Sequence, residues 1–131
     1  MTHQEMADYL AEKLLGWRCG RDPKYPHPSN EEWWWAGEIG MEKSLAVVGV
    51  WHWHPQDDIG QCFEHIIPAM TKELWMFEFS LWRGSSEDER AVSTQARVRS
   101  SKTGNSYIAN GHNLETAIVE ATYQAVKASE K

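Results

Sequence analysis

Apolar residues recur at helical spacing from the start of the chain, where Met6, Tyr9, Leu10, Leu14 and Trp17 fall on one face. Thr2 and Glu5 stand ahead of that stripe in the S/T-x-x-E arrangement of a capping box, and Gly16 supplies a C-terminal stop. A second helix is predicted from Ile59, Cys62, Phe63, Ile66, Ile67 and Met70, behind Asp57 and Asp58, either of which can cap it. Pro68 lacks an amide hydrogen, so a kink or an early end is expected there. A third helix follows Gly111, with Asn113 as cap and Glu115 near the positive end of the helix dipole. Its stripe of Leu114, Ala117, Ile118, Ala121 and Ala125 is slim enough to pack closely on a sheet.

Three strands are predicted between the second and third helices. Residues 74–82, Leu-Trp-Met-Phe-Glu-Phe-Ser-Leu-Trp, begin apolar on both faces, which predicts a central strand covered on both sides. Residues 91–99 alternate, with Val92, Thr94, Ala96 and Val98 on one face and Ser93, Gln95, Arg97 and Arg99 on the other. A shorter strand over 107–109 follows a Ser-Ser-Lys-Thr-Gly-Asn turn. The three are expected to form an antiparallel meander whose first two strands pair as a hairpin. Between 20 and 54 the apolar residues come in clumps among Pro23, Pro26 and Pro28, and one strand over 45–50 is the expectation there.

With 131 residues the chain has the length of a single domain, and neither repeats nor a linker divide it. Mean hydropathy of -0.61 and the lack of a long apolar run argue against a membrane span. Lys and Arg number 13 against 19 Asp and Glu, a net charge of -6, which argues against non-specific binding to a nucleic-acid backbone. An acidic chain can still bind a basic protein surface, or imitate nucleic acid towards a protein that grips it. Cys19 and Cys62 lack a C-x-x-C spacing and read as reduced thiols. No basic segment followed by an apolar one opens the chain, so a cytoplasm, bacterial or that of an infected cell, is the expected location. Eight Trp are the outlier. They imply either aromatic packing or an aromatic recognition surface, and more aromatic area than one small core absorbs, hence a homodimer.

Several pieces, in order, resemble a family of small bacteriophage and prophage proteins, the phage ABA sandwich domain. An amphipathic helix ends in Leu15-Gly16-Trp17, a Pro-x-Asp-Asp-Ile segment at 55–59 leads into a helix, and the chain closes with Ala-Asn-Gly-His-Asn-Leu-Glu-Thr-Ala-Ile-Val-Glu-Ala at 109–121. The resemblance implies an α+β fold, an α-β-α sandwich with helices packed on both faces of a small antiparallel sheet. It covers most of a single domain over 1–131, except for a Trp-rich insert at about 21–54. The family brings no catalytic residues to carry over.

The insert holds the candidate chemistry. Trp51-His52-Trp53-His54 is an His-x-His run that, on a strand, would place both imidazoles on one face; Asp57, Asp58, His65 or His112 would have to complete a metal site. Two histidines without a third ligand are not a site, and no metal or cofactor is expected. In Glu31-Glu32-Trp33-Trp34-Trp35 three neighbouring indoles cannot all face one way in a strand, so at least one is expected on the outer face or in a loop, either as a recognition platform or, with the other two in the core, covered by the third helix or a dimer mate. Arg97 and Arg99, with Lys102 and help from Arg83 or Arg90, form a basic edge able to hold the phosphates of a nucleotide. Glu87-Asp88-Glu89 reads as a solvated hairpin tip. Walker A, G-x-S-x-G, H-E-x-x-H and dinucleotide fingerprints do not occur, and Cys62 with His65 reads as a buried thiol rather than a dyad. The expectation is therefore a binding protein rather than an enzyme. Its candidate binding residues are Trp33, Trp34, Trp35, Trp51, His52, Trp53, His54, Arg97 and Arg99. For a phage accessory protein, the partner would be a host protein or a nucleotide signal in counter-defence. The alternatives are a small metal-assisted hydrolase using His52 and His54, and a structural or regulatory phage protein.

Overall fold

The computed structural model describes residues 1–21, 32–37, 45–83 and 92–130. Glu31, Glu38, Glu87-Asp88-Glu89, Arg90 and the Arg83 side chain lie outside what is described. Helices α1 (His3–Lys13), α2 (Ile59–Gln61), α3 (Ile67–Lys72) and α4 (Leu114–Ser129) accompany two three-stranded antiparallel sheets. The fold is mixed α and β.

The predicted capping box begins α1: the Thr2 hydroxyl accepts from the Glu5 amide, and the Glu5 carboxylate accepts from the Thr2 amide. Gly16, with φ +69, turns the chain out of the helix. Trp17, expected on the helical face, instead opens β1 (Trp17–Gly20), because the left-handed turn at Gly16 breaks the helical phase before it. β1 pairs with β2 (Trp33–Ala36), and β2 with β3 (Leu45–Gly49), the strand expected over 45–50. β1 and β2 carry no strand signal in the sequence, since each has only four residues and β2 is three adjacent indoles and an alanine.

Asp58 caps α2, its carboxylate accepting from the Gly60 and Gln61 amides. Residues Cys62–Ile66 then wind as a π-helix before α3 resumes. Pro68 explains this: its ring would crowd the carbonyl four residues back and it offers no amide hydrogen, and a wider turn relieves the crowding. Only part of the expected apolar stripe is covered. Cys62, Ile66 and Met70 are buried, whereas Ile59 and Phe63, expected in the core, are exposed.

Leu74 leaves α3 with φ +65, a conformation unfavourable for a branched side chain. Its carbonyl is held by both the amide and the hydroxyl of Ser101. The second sheet is the expected meander: β4 (Trp75–Arg83), β5 (Val92–Ser100) and β6 (Ser106–Gly111), in that order. Among the described residues β4 is thus an edge strand and not the central strand its apolar start predicted. Thr94, Ala96, Val98 and Ala109 are buried on the inner face, and α4 packs on β5 and β6 and also against α1. The outer face leaves Met76, Glu78, Arg97, Arg99 and Ile108 exposed. The expected sandwich therefore has its helical layer on one face of this sheet, among the described residues. One hydrophobic core joins the parts, with Ala7, Leu10 and Ala11 of α1, Trp17 and Trp34 of the first sheet, and Ala117, Ile118 and Ala121 of α4.

Candidate functional site

The Trp51-His52-Trp53-His54 run lies on a turn rather than a strand: Val50–His52 form a single 3-10 turn. Its centre is anchored by Trp53, which is 1% exposed and whose indole N–H donates to the Ala7 carbonyl at 2.9 Å. The rings of Trp17 and His65 pack edge-on around it, with centroids 4.9 and 5.9 Å away. Backbone atoms on either side of Trp53 are clamped from neighbouring elements. Gln61 Nε2 donates to the His52 carbonyl at 2.6 Å, and its Oε1 accepts from the His54 amide at 2.9 Å. Gln4 Nε2 donates to the Trp53 carbonyl, and Gln56 Nε2 donates to Gln4 Oε1. Further along, the Cys62 thiol donates to the Pro55 carbonyl and the Thr116 hydroxyl to the Gln56 carbonyl.

Helices α1, α2 and α4 and the π-turn thus converge on one short segment. What it displays is Trp51, which is 78% exposed. Leaving an indole in water forgoes on the order of 3 to 4 kcal/mol of burial. His52 stands beside it, also exposed. The Val50 amide donates to the Glu32 carbonyl, which brings acidic Glu32 to the same edge. A solvent-facing indole beside polar groups, on a turn whose backbone is held at His52, Trp53 and His54, has the make-up of an interface anchor, because little backbone freedom is lost when a partner covers it.

The other candidate residues separate. Trp34 and Trp35 are buried, at 2% and 7% exposure, and Trp33 is half-buried. A register shift between Trp34 and Trp35 breaks the strict alternation, so two adjacent indoles are both covered, and Trp35 Nε1 donates to the Gly20 carbonyl at 3.0 Å. His54 is partly buried. Among the described residues no three His, Cys, Asp or Glu side chains gather as a metal-binding group. Asp58 is occupied as a cap and His65 as a packing ring. Arg97 and Arg99 project from the outer face of the second sheet, where Arg97 pairs with Glu78 at 3.6 Å. The clamping residues Gln4, Gln56 and Gln61 were invisible in the sequence, since a glutamine bonded to a backbone or to another glutamine outside its own helix leaves no periodic signal.

Comparison with family models, curated proteins and solved structures finds no match. Site and function therefore rest on the residues alone.

Burial sets the thiols apart from ordinary cysteines. Desolvation, reinforced by Glu115 and Asp58, pushes the Cys62 thiol up to about 12. Cys19 is exposed by area yet pushed up to about 11, by partial desolvation and by its hydrogen bond to the Glu32 carboxylate at 3.5 Å. Neither has the lowered pKa of a reactive nucleophile.

Proposed function

We propose that this chain is a bacteriophage or prophage accessory protein that acts by binding a host protein, in counter-defence against a host immune or nuclease complex. The observation that carries the reading is the solvent-facing indole of Trp51 on a turn fixed by Gln4, Gln61 and Trp53. Covering so large an apolar group on a held turn would add binding free energy, and tryptophan is the residue type most enriched at such anchors. The acidic balance of the chain, -6 overall, favours a basic partner surface of the kind that grips nucleic acid. The affiliation with the phage ABA sandwich domain belongs to the same reading. It is supported by the order of the pieces: a helix closed at Leu15-Gly16-Trp17, a helix started at Asp58, and a last strand leading into an alanine-rich helix. A protein partner is favoured over a nucleotide signal because Glu78 lies 3.6 Å from Arg97 and puts a negative charge beside one member of the candidate phosphate grip.

Expression of the chain in a bacterium whose immune system restricts a test phage is expected to restore plaque formation. Trp51→Ala is expected to remove that effect and the matching capture of an immune or nuclease component, with the thermal midpoint unchanged. Plating that is the same with and without the chain, or full activity of Trp51→Ala, would overturn the proposal.

A further inference from the structure

Strand β4 carries the inference. It is hydrogen-bonded to β5 on one side, and among the described residues no strand pairs with its other side. Edge strands of soluble proteins are usually guarded by lysine, proline, a bulge or a cover. Residues 75–81 contain no lysine, proline or glycine, and the ladder to β5 runs over nine positions without a register shift. The one charge there, Glu78, is drawn to Arg97 on β5.

The strand is also apolar where it is open. Phe79 is 38% and Leu81 68% exposed, on the face shared with buried Ala96 and Thr94. Phe63, exposed and within the π-turn, sets its ring edge-on to Phe79 with centroids 6.4 Å apart, and the Phe77 ring lies 6.0 Å from that of Phe79. Three aromatic rings and a leucine thus border an unguarded strand edge.

We propose that this edge is the seam of a homodimer, in which β4 pairs antiparallel with β4 of a second copy about a two-fold axis at Phe79, making one six-stranded sheet. The sequence of the strand selects that register. Pairing centred on Phe79 uses all nine positions, stacks Phe79 on its copy, sets Phe77 opposite Leu81, and places Glu78 opposite Ser80. Pairing centred one residue earlier opposes Glu78 to Glu78, a like-charge contact at the middle of the seam. The exposed rings of Phe63 and Phe79 from both copies then close over the axis on the helical side. This seam is independent of the Trp51 turn, so the two proposals stand or fall separately.

The test is register-specific. Ser80 is exposed, faces Gln95 within its own sheet, and would face Glu78 of the second copy. Sedimentation equilibrium of the full chain is expected to give twice the 15.1 kDa chain mass. Ser80→Lys, which sets a cation opposite Glu78 twice per dimer, is expected to lower the dimer dissociation constant, and Ser80→Glu to raise it, each by between about two- and thirty-fold. Both effects should shrink in high salt, and circular dichroism should show both variants folded. A wild-type chain that stays monomeric, or a dimer that responds alike to both substitutions, would overturn the proposal.

Discussion

The indole N–H of Trp53 donates to the backbone carbonyl of Ala7 at 2.9 Å, deep in the core and across 46 residues of chain. The first turns of α1 are thereby tied to the segment that displays Trp51. The bond also satisfies the polar end of a group too large to bury otherwise.

Trp53→Ala removes that bond and leaves a cavity among Trp17, His65 and Ala7. A loss of about 3 to 5 kcal/mol is expected in urea or thermal unfolding. Trp51→Ala should cost less than about 0.5 kcal/mol by the same measurement, as an exposed substitution does. Equal costs would mean that Trp51 is covered in solution.

Asp8 predicts a pH dependence of stability. Its pKa is raised, chiefly by desolvation and also by Glu12 and Glu5, although Gln4 donates to its carboxylate. A carboxylate whose folded pKa lies above its unfolded one binds more protons when folded. Its contribution to stability is therefore fully present below the unfolded pKa near 3.8 and lost as pH rises through the folded pKa. Asp8→Asn should accordingly raise the thermal midpoint at neutral pH, with the advantage fading as the solution is acidified below that window. An advantage that is constant with pH would assign the effect to packing.

The two thiols should differ in accessibility and agree in sluggishness. Cys62 is fully buried and donates to the Pro55 carbonyl, while Cys19 is exposed. Iodoacetamide at pH 8 is expected to label Cys19 slowly in the folded protein, faster in Glu32→Gln, and to reach Cys62 only in denaturant. Rapid labelling of native Cys62 would show that α2 and the π-turn open readily.

Local chemistry was legible wherever a feature depends on residues close in sequence. Thr2 with Glu5 and Asn113 cap where their spacing says, and of the two candidates Asp57 and Asp58 it is Asp58 that caps, because a cap joins a side chain to amides two or three residues away. The alternation that buries Thr94, Ala96 and Val98 is equally local, and so is the hairpin it forms with β4.

Tertiary structure decided what depends on distant residues. Nothing near Trp53 marks it for the core and Trp51 for the surface: two residues apart on one turn, they are separated by the reach of Ala7, Gln4 and Gln61 from elsewhere in the chain. The position of β4 at an edge likewise follows from strand order, which pairing sets and composition does not. The sequence by itself determined the caps of α1 and α4 and the alternation of β5, but not β1, β2 or the π-turn. Which indole is buried and which strand edge stays open was settled only when those elements packed, because burial belongs to the neighbours that surround a residue and not to the residue alone.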